Sequence, residues 1–78
     1  MKQTGPNLYV TFHTTSAAMA AERVCREAGV PGKLVPVPRA LTSDCGISWR
    51  TEPELRGQLE TLLARAGVEF AAMAEICA

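Results

Sequence analysis

The sequence predicts an α+β protein, a ferredoxin-like βαββαβ two-layer sandwich with a four-stranded antiparallel sheet. Short segments rich in β-branched and aromatic residues alternate with two segments of helical apolar spacing along the 78 residues. The tripeptide Ala28-Gly29-Val30 recurs as Ala66-Gly67-Val68 in the second half. Two βαβ halves of similar length are typical of the split βαβ architecture. This length allows a single domain, residues 1–78.

The first half begins with a strand and a helix. Residues 1–6 are expected to form a flexible lead-in, and residues 8–12 predict the first strand. Residues 13–16 offer N-cap side chains for a helix over 17–28, and Gly29 follows as a C′ glycine. The apolar stripe of this helix consists of Ala17, Ala21, Val24, Cys25 and Ala28.

A proline-flanked strand and a long polar loop follow. Residues 33–37 predict the second strand, and Pro36 places it at a sheet edge because proline cannot donate to a ladder. Residues 38–46 are too many and too polar for a tight hairpin turn, so they predict a longer loop. Residues 47–50 then resume as the third strand.

The second half repeats the helix and ends in a strand. Residues 51–54 match a capping box with proline in the first turn, which predicts a helix that runs to Ala66. Gly67-Val68 ends it as Gly29-Val30 ends the first helix. Residues 69–76 are the last strand candidate. The leucines of the second apolar stripe are Leu55, Leu59, Leu62 and Leu63.

This fold predicts which loops meet. In a sheet ordered 4-1-3-2, the first and third strands are antiparallel neighbours. The end of strand one, at Phe12 and His13, then lies beside the start of strand three, at Cys45 and Gly46. The N-terminus of the first helix opens at the same end. The fold therefore predicts that Cys45 lies near His13 and near free helix amides.

The charge balance excludes two classes of partner. Eight Lys and Arg residues oppose eight Asp and Glu residues, for a formal net charge of zero. Such a chain lacks the bulk charge that holds a nucleic acid or a membrane surface. No apolar stretch reaches the ~20 residues of a membrane span, and no apolar leader is present at the start. We therefore expect a small cytoplasmic protein.

Motifs for metals, cofactors and independent catalysis are missing from the sequence. There are three cysteines and one histidine, with no CxxC pair, which argues against a zinc site or a disulfide framework. No glycine-rich phosphate loop, HExxH or GxSxG motif occurs. We therefore expect no metal and no cofactor, and we do not expect an independent enzyme.

The three cysteines differ in context. Cys45 stands in a polar loop before a glycine, which favours exposure and close approach by another backbone. Cys25 lies on the apolar stripe and is interpreted as a small buried hydrophobe. Cys77 is interpreted as incidental, with a role as a second thiol as the alternative. Cys45 is thus the candidate reactive thiol, with an inert loop cysteine as the competing interpretation.

Two side chains are candidates for activating this thiol. His13 could orient or deprotonate it, or could simply be a strand-end residue bonded to the helix cap. Arg39 could pair with an anionic group bound at the loop, or could cap a loop carboxylate such as Asp44. The loop and cap residues expected to line the substrate site are Thr14, Ser16, Ser43, Asp44 and Gly46.

These residues resemble a known family. The order Phe12-His13-Thr14-Thr15, Pro36-Val37-Pro38-Arg39 and Ser43-Asp44-Cys45-Gly46 is similar to the "Putative Se/S carrier protein-like" family. The resemblance covers the chain from Leu8 to about Val68. It implies that Cys45 carries sulfur or selenium as a persulfide or selenosulfide. It also implies a cysteine desulfurase-like donor and a sulfur- or selenium-accepting enzyme as partners.

Two other functions remain open at the level of the sequence. The chain could be a non-catalytic ferredoxin-like module that binds a protein or a ligand, in which case Cys45 would be unreactive. It could also be a thiol redox sensor, which requires a second cysteine within bridging distance of Cys45. A chain of this length has a thin core, so a homodimer is a further expectation.

Overall fold

The structure is a computed structural model that describes residues 6–39, 41 and 46–77. Its elements are β1 (Asn7–Thr11), α1 (Thr15–Ala28), β2 (Lys33–Pro36), β3 (Ile47–Thr51), a 3₁₀ turn (Pro53–Leu55), α2 (Arg56–Ala66) and β4 (Ala72–Ile76). The order βαββαβ and the antiparallel sheet confirm the ferredoxin-like α+β fold. The last strand is three residues shorter than predicted.

The sheet has the predicted strand order. Its strands run β2-β3-β1-β4, and each neighbouring pair is antiparallel. In the central row, Val10 of β1 stands opposite Trp49 of β3 on one side and Met73 of β4 on the other. Partners directly opposite one another direct their side chains to the same face. The register therefore assigns alternate residues of every strand to the helix-covered face.

Both helices cover that face and enclose the core. The buried core residues are Leu8, Val10, Phe12, Ala18, Ala21, Cys25, Val30, Trp49, Leu59 and Leu63. The predicted apolar stripe of α1 is wrong at Ala28, which is exposed. It also omitted Ala18, which is fully buried. The small α1 side chains let the helix approach the sheet closely, and the larger leucines of α2 supply volume on the other side.

The repeated Gly-Val pairs end the two helices in the same way. Gly29 and Gly67 have left-handed φ angles of 78° and 74°, which cost glycine nothing. The N–H of Val30 donates to the carbonyl of Cys25 at 2.9 Å, and the N–H of Val68 donates to Leu63 at the same distance. These are Schellman endings, as predicted from the sequence.

The predicted capping box before α2 is wrong. Thr51 continues β3, pairs with Leu8, and uses its hydroxyl to donate to the carbonyl of Pro31 at 2.6 Å. The helical segment begins instead with the 3₁₀ turn, whose N-cap residue Glu52 makes no side-chain capping bond. The hydroxyl of Thr51 thus ties β3 to the segment before β2.

Trp49 fills the core beneath the turn into β2. This residue is 3% exposed, so it is part of the packed core. Gly32, with φ at +147°, lies directly against the indole ring. A Cβ added at Gly32 would stand 2.7 Å from Trp49 Cζ2 and 2.6 Å from the carbonyl oxygen of Arg50. Glycine is required at this position on both steric and conformational grounds.

The described residues contain neither a membrane-spanning helix nor a metal cluster. None of their helices is long and apolar enough to cross a membrane. Within the same residues, no group of three or more His, Cys, Asp or Glu side chains is placed to hold a metal ion.

Candidate functional site

The candidate site lies where β1 ends and β3 begins. Thr11, the last residue of β1, pairs with Ser48 of β3. Extending this antiparallel register by two residues brings His13 opposite Gly46. The N-terminus of α1 follows His13 directly, at Thr15. One end of the sheet therefore gathers the described residues on both sides of the candidate loop.

The loop between β2 and β3 is closed by a backbone hydrogen bond. The N–H of Val37 donates to the carbonyl of Gly46 at 3.1 Å. Prolines stand on either side of Val37, so its N–H is the only backbone donor from residue 36 to residue 38. This hydrogen bond holds Gly46, whose φ angle is +76°, at the end of the loop. This role of Val37 was not predicted from the sequence. The flanking prolines were the signal that could have revealed it.

Arg39 lies in a turn just inside this closure. The N–H of Leu41 donates to the carbonyl of Pro38 at 3.0 Å, which closes the turn around Arg39. The Arg39 side chain is exposed, and it forms no ion pair with any carboxylate of the described segments. The loop therefore carries one solvent-exposed guanidinium on its β2 side.

Three predicted site residues, Ser43, Asp44 and Cys45, lie outside the described residues. Their predicted roles as substrate contacts and as the reactive thiol stay predictions. The described residues that frame them in the sequence are Leu41 and Gly46.

Thr14 caps the helix that opens at this end. Its backbone is extended (φ −138°, ψ 155°), and its Oγ1 accepts a hydrogen bond from the N–H of Ala17 at 3.1 Å. The first intrahelical bond runs from the N–H of Ala18 to the Thr14 carbonyl at 3.2 Å. The amides of Thr15 and Ser16 stand at positions that have no intrahelical acceptor. Thr14 is thus a cap.

The electrostatic field at this helix terminus favours an anion. The first turn of α1 contains no acidic residue that would neutralise the helix dipole. His13 and Ser16 are both exposed there. Together with the exposed guanidinium of Arg39, the described surroundings of the loop provide positive charge and hydrogen-bond donors. This is the environment that stabilises a thiolate.

The other two cysteines lie away from this end. Cys25 is fully buried, and burial raises the pKa of its thiol from 9.0 to about 11. This confirms that Cys25 is a core residue. Cys77 is exposed and follows Ile76, which pairs with Asn7 at the start of β1. Cys77 therefore stands at the end of the sheet opposite to His13 and Gly46.

The buried Cys25 thiol predicts a pH effect on stability. The folded state holds the Cys25 proton up to a pH of about 11, whereas the unfolded chain releases it near 9.0. The unfolded state therefore binds fewer protons between these values, so stability is expected to fall as the pH rises above about 9. The free energy of unfolding would fall by on the order of 3 kcal/mol between pH 9 and pH 11. Urea denaturation across this range measures it.

Cys25→Ala is the matched control, because it removes the thiol and leaves the other titrating groups in place. The wild-type stability should fall more steeply with pH than that of the variant. Equal slopes between pH 9 and pH 11 would contradict the prediction.

Among the comparisons with known proteins, one family model matches the chain. The family model described as "Putative Se/S carrier protein-like" matches residues 7–75, which is most of the chain. No curated protein and no solved structure matches the chain significantly. The chain, a small α+β protein whose β2–β3 loop is closed by a backbone hydrogen bond, belongs to the Se/S carrier protein-like family.

Proposed function

We propose that the protein carries sulfane sulfur or selenium on Cys45 and relays it between a donor enzyme and an acceptor enzyme. The observation that supports this most directly is the family match over residues 7–75, which includes the Ser43-Asp44-Cys45-Gly46 motif. Cysteine persulfide is the chemical class of the proposed donor group. A cysteine desulfurase-like enzyme would supply it.

The described frame supports this role for Cys45 in two ways. First, Gly46 directly follows Cys45 in the sequence, and the Val37 hydrogen bond holds Gly46 at the end of the sheet where α1 begins. Second, the N-terminus of α1 and the Arg39 guanidinium supply positive charge at this end of the sheet, which would stabilise a thiolate or an anionic persulfide.

The proposed transfer is a displacement at sulfur. The Cys45 thiolate attacks the terminal sulfur of the donor persulfide, and a new sulfur–sulfur bond forms. The sulfur–sulfur bond of the donor breaks, and its electron pair leaves with the donor cysteine as a thiolate. An acceptor nucleophile then takes the terminal sulfur from Cys45 in the same way. Each step conserves electrons, so no oxidant or reductant is needed. Selenium would follow the same course through a selenosulfide.

The positions of the other thiols argue against an intramolecular redox sensor. β1 separates the Cys77 end of the sheet from the Gly46 end, and five strand residues span about 17 Å. A disulfide needs Cα atoms roughly 4.4–6.8 Å apart. Cys25 is enclosed in the core and would have to leave it to react. A carrier, by contrast, needs a single thiol.

Intact-mass spectrometry tests the proposal. After incubation with a cysteine desulfurase and cysteine, the wild-type protein is expected to gain the mass of one sulfur atom, and a reducing agent should remove it. Selenocysteine in place of cysteine tests the selenium adduct in the same assay. Cys45→Ala is expected to abolish both adducts, because it removes the attacking thiolate.

Cys77→Ala is the control, since it removes an exposed thiol at the far end of the sheet. This variant should form the adduct as the wild type does. Should Cys45→Ala gain the same mass as the wild type, Cys45 is not the carrier. An unmodified wild-type protein would instead favour the non-catalytic binding module.

A further inference from the structure

The two edges of the sheet differ in how they are protected. β2 and β4 are the outer strands. The N–H of Val37 points toward β3, so the neighbouring backbone position at Pro36 faces outward, where proline offers no donor. Prolines at such positions prevent another strand from pairing with the edge. Of the two outward positions of β2, Leu34 and Pro36, only Leu34 therefore has an N–H to offer.

β4 has no such protection. Its sequence, Ala-Met-Ala-Glu-Ile, contains neither proline nor lysine. The carbonyl of Thr11 accepts the N–H of Ala71 at 2.7 Å, so the backbone groups of Thr11 point toward β4. By alternation, Ala72, Ala74 and Ile76 bond to β1. The backbone groups of Met73, Glu75 and Cys77 then point outward, and no described residue pairs with them.

The one charge of β4 is also neutralised. Glu75 is the residue whose charge would discourage pairing of this strand with another. Its carboxylate lies 3.8 Å from Nη1 of Arg56 at the start of α2, and both side chains are about half exposed. Nε of Arg56 lies 3.5 Å from Glu60. The guanidinium thus stands between two carboxylates of its own chain, and its third nitrogen, Nη2, can donate to a further anionic partner.

We propose that β4 pairs with β4 of a second copy of this chain, antiparallel and about a two-fold axis at Glu75. The outward residues are self-complementary in that arrangement. Glu75 faces its own copy, and Met73 faces Cys77 of the other chain, which allows up to about six backbone hydrogen bonds. The two four-stranded sheets become one continuous sheet.

Charge complementarity favours a second copy as the occupant. At the two-fold axis the two Glu75 carboxylates repel one another, and the two Arg56 guanidinium groups, each paired with Glu60 and Glu75 of its own chain, offset that repulsion. Each Arg56 has five donors in a planar fork, enough to reach both carboxylates. Strand-edge pairing buries less than the ~1,200 Å² of a standard interface, so the dimer is expected to depend on protein concentration. This inference stands apart from the sulfur-carrier proposal.

Sedimentation analysis in reducing buffer tests the pairing. The wild-type protein is expected to shift from monomer to dimer as its concentration rises. Glu75→Pro removes the outward N–H at the axis and leaves the β1 ladder intact, so it should remain monomeric at every concentration. Glu75→Gln is the matched control, because it loses the same carboxylate but keeps the backbone donor. It should still dimerise.

Circular dichroism establishes that each variant is folded. If Glu75→Pro does not fold, Glu75→Lys serves in its place, because it puts four cations at the axis and is expected to prevent dimerisation. Amide exchange gives an independent readout. The outward amides of Met73 and Glu75 should become protected as the wild-type concentration rises. A monomer at all concentrations, or a folded Glu75→Pro dimer, would overturn the proposal.

Discussion

Under native conditions at neutral pH, a thiol-alkylating reagent is expected to modify Cys77 readily and to leave Cys25 unmodified. We expect Cys25 to react on the order of 1,000-fold more slowly. The raised pKa, from 9.0 to about 11, lowers its thiolate population by about 100-fold. Reagent access to this fully buried side chain also requires local opening, which lowers the rate further.

Time-resolved labelling followed by peptide mass spectrometry measures the two rates. In urea, where the chain is unfolded, the two cysteines should react at similar rates, which is the internal control. Labelling of native Cys25 within threefold of the Cys77 rate would refute the buried assignment. The result also bears on the carrier assay, because an inert Cys25 cannot contribute a persulfide adduct.

Replacement of Gly32 by alanine is expected to destabilise the fold by about 3 kcal/mol. The new Cβ would meet the Arg50 carbonyl at 2.6 Å and Trp49 Cζ2 at 2.7 Å. The φ angle of +147° is itself unfavourable for alanine. The indole ring or the β2 turn must therefore move. Thermal denaturation should show a drop in Tm of at least about 10 °C.

Gly57→Ala is the control for this substitution. Gly57 lies in α2, and a Cβ there would have no neighbour within 4 Å. Alanine should stabilise the helix by up to about 1 kcal/mol. Fluorescence of Trp49, the single tryptophan, reports the local effect. An unchanged Tm and emission maximum for Gly32→Ala would show that the contact is not restrictive.

Local sequence signals were sufficient for much of the fold. The Gly29-Val30 and Gly67-Val68 pairs predicted both helix ends, because a left-handed glycine followed by an apolar residue is a short-range motif. Pro36 predicted the edge strand, since its missing N–H has consequences in any sheet. The strand order followed from the repeated βαβ unit. Each of these signals is independent of distant contacts.

Where tertiary contacts compete with a local motif, prediction from the sequence failed. Thr51 matches a capping position, but its hydroxyl donates to Pro31, twenty positions away in the chain. The approach of Gly32 to Trp49 likewise depends on how the β2 turn packs over β3. No periodicity or short motif encodes either contact.

The candidate site was likewise predicted from the sequence only in part. The sequence predicted that the end of β1 meets the start of β3, and the pairing of Thr11 with Ser48 confirms that arrangement. The cap role of Thr14 is also confirmed. The closure of the loop by Val37 was missed, although the prolines on either side leave Val37 as the only backbone donor from residue 36 to residue 38. The role of Cys45 stays a prediction.

The pairing of Asn7 with Ile76 has a practical consequence for experiments on this protein. The chain enters and leaves the sheet side by side, on the end that faces away from His13 and Gly46. A tag or surface linker joined to the chain next to Asn7 or Ile76 would therefore leave the sheet at the far end. Protein immobilised in this way would present the β1–β3 end to the proposed donor enzyme, so the proposed transfer could be followed on a sensor surface without the anchor blocking the encounter.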